Sequence, residues 1–337
     1  MKHSDSADNS KSKTWTAAFQ EAQKLDADKA ADLEKKLEVD PTDLLTRFKL
    51  LLYYTKTAIV QPELREIKKR HVLWIVQNQP GYGNSMLHGY MKFVRTDVEY
   101  EEIKSLWLKK IEANPTDLDI LFNAARFLSL EDTDLATEIL TKGKKIDPNN
   151  PKWAIQLGHL YSLKNIFFQT IGTKLHNSQN SLKEFEDAAS ADPKKRFYVL
   201  VHLAQASFDS GEMGKAKNYS EELLNTAKGN KRDWNYGNAI FHGNMVLGRI
   251  ALSSGDIEAA KRYLLLAGKT PGSPQLNTFG PNMTLAKELL QKGEKDAVID
   301  FFRQCSKFWE MGNKQLDDWT VLVQDDRVPD FRMNLNY

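Results

Sequence analysis

Apolar residues recur along this chain at intervals of three and four, in runs that close on a similar polar punctuation. That spacing lays a stripe of apolar side chains along one face of a helix. The runs end in "EVDPTD" with Pro41, "QNQPGY" with Pro80, "EANPTD" with Pro115, "KIDPNNP" with Pro148 and "SADPKK" with Pro193. Successive prolines lie 39, 35, 33 and 45 residues apart. Proline cannot continue a helix and suits the turn or first position that follows, so each interval holds one helix pair. The pattern predicts an all-α chain, an almost purely helical array of about six hairpins.

Within the intervals, small and large residues recur at the offsets that let two antiparallel helices approach closely. "LGHLYSLK" supplies Leu157, Gly158 and Tyr161, followed after an insertion by Ser181, Phe185, Ala188 and Pro193. "LGRIALSSGDIEAAKRYLLLAG" supplies Leu247, Gly248, Ala251, Gly255, Ala260, Leu264 and Ala267. Weaker copies run through Leu203, Ala204, Gly211 and Ala216, and through Leu285, Ala286, Gly293 and Phe302. These residues resemble the tetratricopeptide repeat, a Leu-Gly pair followed by an aromatic, a small residue and a closing proline. The resemblance covers the chain from about Asp40 onward. It implies a right-handed α-solenoid with a concave inner surface that holds peptide or protein segments. The array is expected over 14–312, behind a disordered tail at 1–13 and ahead of a capping helix and tail at 313–337. Trp153, Tyr161, Phe185, Leu247, Leu264 and Phe302 are the large residues expected in its interior.

Departures from the period draw attention to two places. Extra residues separate Tyr161 from Ser181, and Gly211 and Gly255 stand 44 apart, which predicts one helix lengthened over Arg232 to Gly255. On that helix Asn235, Asn238, His242, Met245 and Arg249 follow spacings of three and four and make a polar stripe. In the tetratricopeptide pattern His242, Met245 and Arg249 fall on the concave surface, and His159, Gln205 and Lys287 hold the same inner positions elsewhere. Amide side chains donate and accept, and arginine binds carboxylates bidentately, so this groove suits an extended peptide or a carboxylate-bearing ligand. Trp234 and Tyr236 add aromatic surface beside it.

The second place is "TPGSPQLNTFGPNM", Thr270 to Met283, with three prolines and two glycines in fourteen residues between two helical runs. A connection this long and this stiff has a shape of its own. It either borders the groove, presenting Ser273, Gln275, Asn277 and Asn282, or serves as a specialised helix cap. Together with "DWNYGNAIFHGN" and "FRQCSKFWEMG", it resembles the C-terminal part of a family of uncharacterised bacterial proteins of tetratricopeptide type. That likeness implies no known activity.

Composition narrows the function classes. Forty-seven basic and forty-five acidic residues give a net charge of +2, which removes the electrostatic motive for broad binding to nucleic acid or anionic membrane. The single Cys305 forms no internal disulfide and reads as a small buried hydrophobe. The N-terminus shows no export signal and no window is apolar enough to span a bilayer, so a cytoplasmic location is expected. Nucleophile elbows, phosphate loops, HExxH and GxGxxG are all missing, and the seven histidines show no metal-ligand pair in sequence. Two readings remain: a non-enzymatic scaffold whose groove holds a peptide or protein segment with an anionic group, needing no cofactor; or a small-molecule sensor or enzyme. The second would use a pocket between the asparagine-rich helix 233–253 and the loop 270–283.

Overall fold

The computed structural model describes residues 14–167 and 171–335. The expected disordered tail, 1–13, lies outside them. Every regular element among the described residues is helical. The chain divides into two compact units, Met1–Pro148 and Asn149–Tyr337, and the boundary falls on one of the punctuating prolines.

The first unit holds α1 (14–22), α2 (Ala27–Val39), α3 (Leu44–Thr57), α4 (Leu64–Asn78), α5 (Ser85–Tyr90), α6 (Val98–Ala113), α7 (Leu118–Leu128) and α8 (Thr133–Ile146). Its Asp/Asn-Pro-Thr-Asp turns work as helix starts. The Asp43 carboxylate accepts from the Thr46 amide, and Asp117 accepts from those of Asp119 and Ile120, which satisfies amides that a helix leaves orphaned.

The second unit holds α9 (Pro151–Phe167), α10 (Ile171–Ala191), α11 (Arg196–Asp209), α12 (Met213–Gly229), α13 (Tyr236–Ser253) and α14 (Ile257–Gly268). It continues with α15 (Pro274–Phe279), α16 (Thr284–Leu290), α17 (Lys295–Cys305) and α18 (Asn313–Gln324). From α9 to α14 consecutive helices pack on one another, and α17 then packs on α14 and α16. α11 also touches α13, and α13 touches α16, so these three share a layer, with α10, α12, α14 and α17 behind them.

Three of its hairpin turns are the same device. Gly211, Gly255 and Gly293 sit at φ of 82°, 84° and 86°, a conformation that costs glycine least. Each is followed by an amide (Glu212, Asp256, Glu294) that reaches five residues back, to the carbonyls of Ser207, Ala251 and Leu289, while the glycine's own amide reaches three back. This is the Schellman stop, and it reverses the chain in the fewest residues. The glycine of the Leu-Gly pair has a different use. A Cβ on Gly158 would stand 2.8 Å from the Phe185 ring, and one on Gly248 would stand 2.3 Å from Leu285, so both permit close helix contact.

Trp153, Phe185, Leu247, Leu264 and Phe302 are buried, as the frame requires, whereas Tyr161 is half-buried. The lengthened helix differs from expectation: α13 begins at Tyr236, and the extra residues are shared with α12, 17 residues long, and with a connection at 230–235. The Asp233 carboxylate accepting from the Asn235 amide at 2.8 Å fixes that connection in place of another helical turn. At the far end Leu316, Trp319 and Val323 of α18 cover Phe302, and Phe331 returns to lie 4.9 Å from the Trp319 ring at a steep angle.

Candidate functional site

Two of the layered helices carry matching stripes. On α11, Tyr198, His202, Gln205 and Asp209 follow spacings of four, three and four; forty residues on, Asn238, His242, Met245 and Arg249 repeat them on α13. Residues so spaced share one helix face. His159 of α9 joins the row, its ring perpendicular to that of His202 with centroids 4.5 Å apart. His202 also stacks on Phe185 at 4.9 Å, and Gln205 Nε2 lies 3.3 Å from His242 Nδ1, the contact of a ring that accepts there and carries its proton on Nε2. All three imidazoles are closely surrounded by neighbouring helices yet keep a window to solvent.

Burial disfavours the charged form, so the His242 pKa falls to about 4, His159 falls below its ordinary value, and His202 falls well below it. For His202 the neighbouring His159 and His242 add to the effect. The three rings are therefore neutral at pH 7 and, with Gln205, offer imidazole and amide hydrogen bonds.

Charge enters at the C-terminal ends of the same helices. Arg249 Nε lies 3.1 and 3.3 Å from the two carboxylate oxygens of Glu288, and its NH2 lies 3.0 Å from Oε1. Its guanidinium carbon stands 4.2 Å over the Phe208 ring, and NH1 reaches Asp209 only at 3.6 Å. Although the Asp209 side chain is 48% exposed, desolvation by the protein crowded around it raises its pKa, outweighing the opposing pull of Arg249. An anionic ligand group at Arg249 would have to displace Glu288, so the geometry runs against the carboxylate-bearing ligand expected there. Lys287, half-buried on α16, is no substitute, since adjacent helical residues diverge by about 100°.

The opposite end holds an aromatic pair. Tyr198 and Trp234 stack with centroids 5.7 Å apart and planes 11° from parallel, and both are exposed. The Tyr198 hydroxyl donates to Asp233 at 2.9 Å.

The amide stripe and the proline-rich loop do meet, as an internal joint. Asn238 Oδ1 accepts from the Ser273 hydroxyl at 2.6 Å, while its Nδ2 donates to Asn235 Oδ1 at 3.2 Å and Gln275 Oε1 at 3.1 Å. Asn235 donates to the Phe197 carbonyl and the Thr270 hydroxyl to the Gly237 carbonyl. A Cβ on Gly237 would lie 1.7 Å from the Gly272 oxygen, so the two backbones are in direct contact and no ligand fits between them there. Inside the loop Ser273 caps α15, Pro274 opens it and Gly280, at φ 84°, stops it. Asn277 accepts from the Ser273 amide and Asn282 from that of Thr284. The loop thus acts as the specialised cap of the two readings. Of the residues singled out in the sequence, His159, Gln205, His242 and Arg249 come together, whereas Asn235, Asn238, Asn277 and Asn282 are engaged in holding the loop.

His202 and Asp209 escaped the sequence reading. The forty-residue repeat of the 4-3-4 stripe was the available signal. Among the described residues no group of three or more His, Cys, Asp and Glu side chains is placed to hold a metal ion, and no helix is long and apolar enough to cross a membrane. No protein-family model matches the chain, and no curated protein matches its sequence.

Proposed function

We propose that the second unit is a right-handed α-solenoid of tetratricopeptide type, and that the inner face of α9, α11, α13 and α16 is a groove for an extended peptide or protein segment. The observation that carries this reading is the duplicated stripe: the same spacing recurs on one face of two neighbouring helices, and on it His202, Gln205, His242 and Arg249 are half-buried, with polar atoms that keep part of their surface open to solvent. Packing alone would be served by apolar residues, as at Leu200, Leu203 and Leu247 on other faces of the same helices. An extended strand has unpaired amides and carbonyls along its length, and a row of imidazoles and amides can meet both. The direct contact of Gly237 with Gly272 supports binding along the stripe over a ligand enclosed behind it.

The test is binding of the full chain to arrays of degenerate nonapeptides. Gln205→Ala and His242→Ala together should weaken retention about tenfold, as two neutral hydrogen bonds of about 0.7 kcal/mol each would. Retention that ignores this pair places binding elsewhere on the protein.

A further inference from the structure

The two ends of the groove differ in chemistry, and the difference defines a partner. This step rests on the groove reading and adds to it. Tyr198 and Asp209 are the first and last members of one stripe on α11. Eleven residues of helix separate them by about 16 Å, which an extended chain covers in about five residues.

At the Tyr198 end a Trp-Tyr stack stands exposed, with Trp234 showing 52% of its surface. The tyrosine hydroxyl is already bound to Asp233, so what the stack offers is the flat apolar face of the indole, a platform for a planar or proline side chain. At the other end the negative charge is under-compensated. The groups acting on Asp209 are Arg249 from α13, Lys174 from α10 and Glu288 from α16. The arginine gives its closest contacts to Glu288, and Lys174 makes no ion pair with Asp209 within 4.0 Å. Asp209 also ends α11, where the helix dipole is negative and an aspartate is out of place unless a cation joins it. Its side chain remains 48% exposed, open to such a group.

We infer that the partner is an extended segment carrying a planar apolar residue for the Tyr198–Trp234 platform and, about five positions away, a lysine or arginine for Asp209. The neutral histidine and amide floor between them reads the backbone and leaves the intervening side chains free.

The probe is an array of degenerate nonapeptides with Trp or Ala fixed at one position. A second position, three to seven residues away, carries Lys, norleucine or Glu. Pools with Trp and Lys four to six apart should retain the full chain at least fivefold better than their norleucine counterparts, and Glu pools should retain it least. Asp209→Asn should erase the lysine preference, Asp209→Glu should restore it, and Trp234→Ala should erase the preference for Trp. Equal retention of Lys, norleucine and Glu pools by the parent protein would overturn the inference and leave the groove standing. Absence of retention for every pool, or retention indifferent to the Gln205 and His242 changes, would overturn the groove itself.

Discussion

The two units handle polar side chains in opposite ways. In the first, one interior cluster of polar groups is spent on itself. Arg47 donates twice to the Pro41 carbonyl, at 3.0 and 2.8 Å, lies 3.6 Å over Trp74 and touches His71, whose other nitrogen meets Glu34 at 2.8 Å; Tyr54 donates to the same carboxylate. Lys92 reaches the carbonyls of Arg126 and Phe127 and the Ser129 hydroxyl, so its ammonium closes the end of α7. In the second unit the row from His159 to Arg249 keeps contact with solvent. A buried group with all its bonds made fixes how helices join; an aligned, half-satisfied row has bonding capacity to offer a ligand.

The largest test of this contrast lies at the joint that frees the row by anchoring the loop. Gly237→Ala forces a methyl into the Gly272 carbonyl, a backbone atom with nowhere to go. We expect a loss of about 3 kcal/mol or more, seen as faster amide exchange in α13 and the loop with the first unit unaffected. A smaller effect would mean that the loop is loosely held.

Lys92→Met should cost the first unit about 2 kcal/mol, because it strips the end of α7 of its donor. Its pH signature is separate. Burial lowers both Lys68 and Lys92 to about 8, below the ordinary 10.5, so between those values the unfolded chain holds more protons and stability rises with pH. Denaturant titrations from pH 8 to 10 should show this rise, reduced in Lys92→Met. Above pH 10 the raised Tyr54 and Tyr100 act in the other direction.

The second unit has its own window. His242 drops from 6.5 to about 4, so its contribution is complete above pH 6.5 and is lost as pH falls toward 4. Discounted for the ring's opening to solvent, the loss is about 1 to 2 kcal/mol. Comparing the parent with His242→Gln over that range cancels shared titrations, Asp209 included, and the variant should give the flatter curve. Parallel curves would mean that the ring is better hydrated than its surroundings suggest.

The smallest effect belongs to exposed pairs common to any helical surface. Lys183 and Asp187 meet at 2.9 Å with side chains 67% and 41% exposed, and Lys183→Ala should change stability by no more than about 0.5 kcal/mol. A midpoint shift in urea well beyond that would show that surface charge carries part of the difference assigned to the interior.

The helical character, the period and the turns were legible in the sequence because their causes are local. A proline stops the helix that precedes it, an aspartate three residues before a helical amide caps it, and a glycine three residues past the last apolar position allows the left-handed stop at Gly211, Gly255 and Gly293. The interior positions followed from the same period, Trp153 and Phe185 among them. What the sequence left undecided were pairings across many residues. Asn238 looks equally available on a helical wheel whether or not Ser273, thirty-five residues on, folds back to donate to it. Arg249 reads as a free cation until Glu288 arrives from α16, and spacing alone does not set Asp209 beside that pair. Spacing determines which side chains share a face of one helix. Only the packing of that face against other helices determines which of them remain unsatisfied, because the competing partners come from distant parts of the chain.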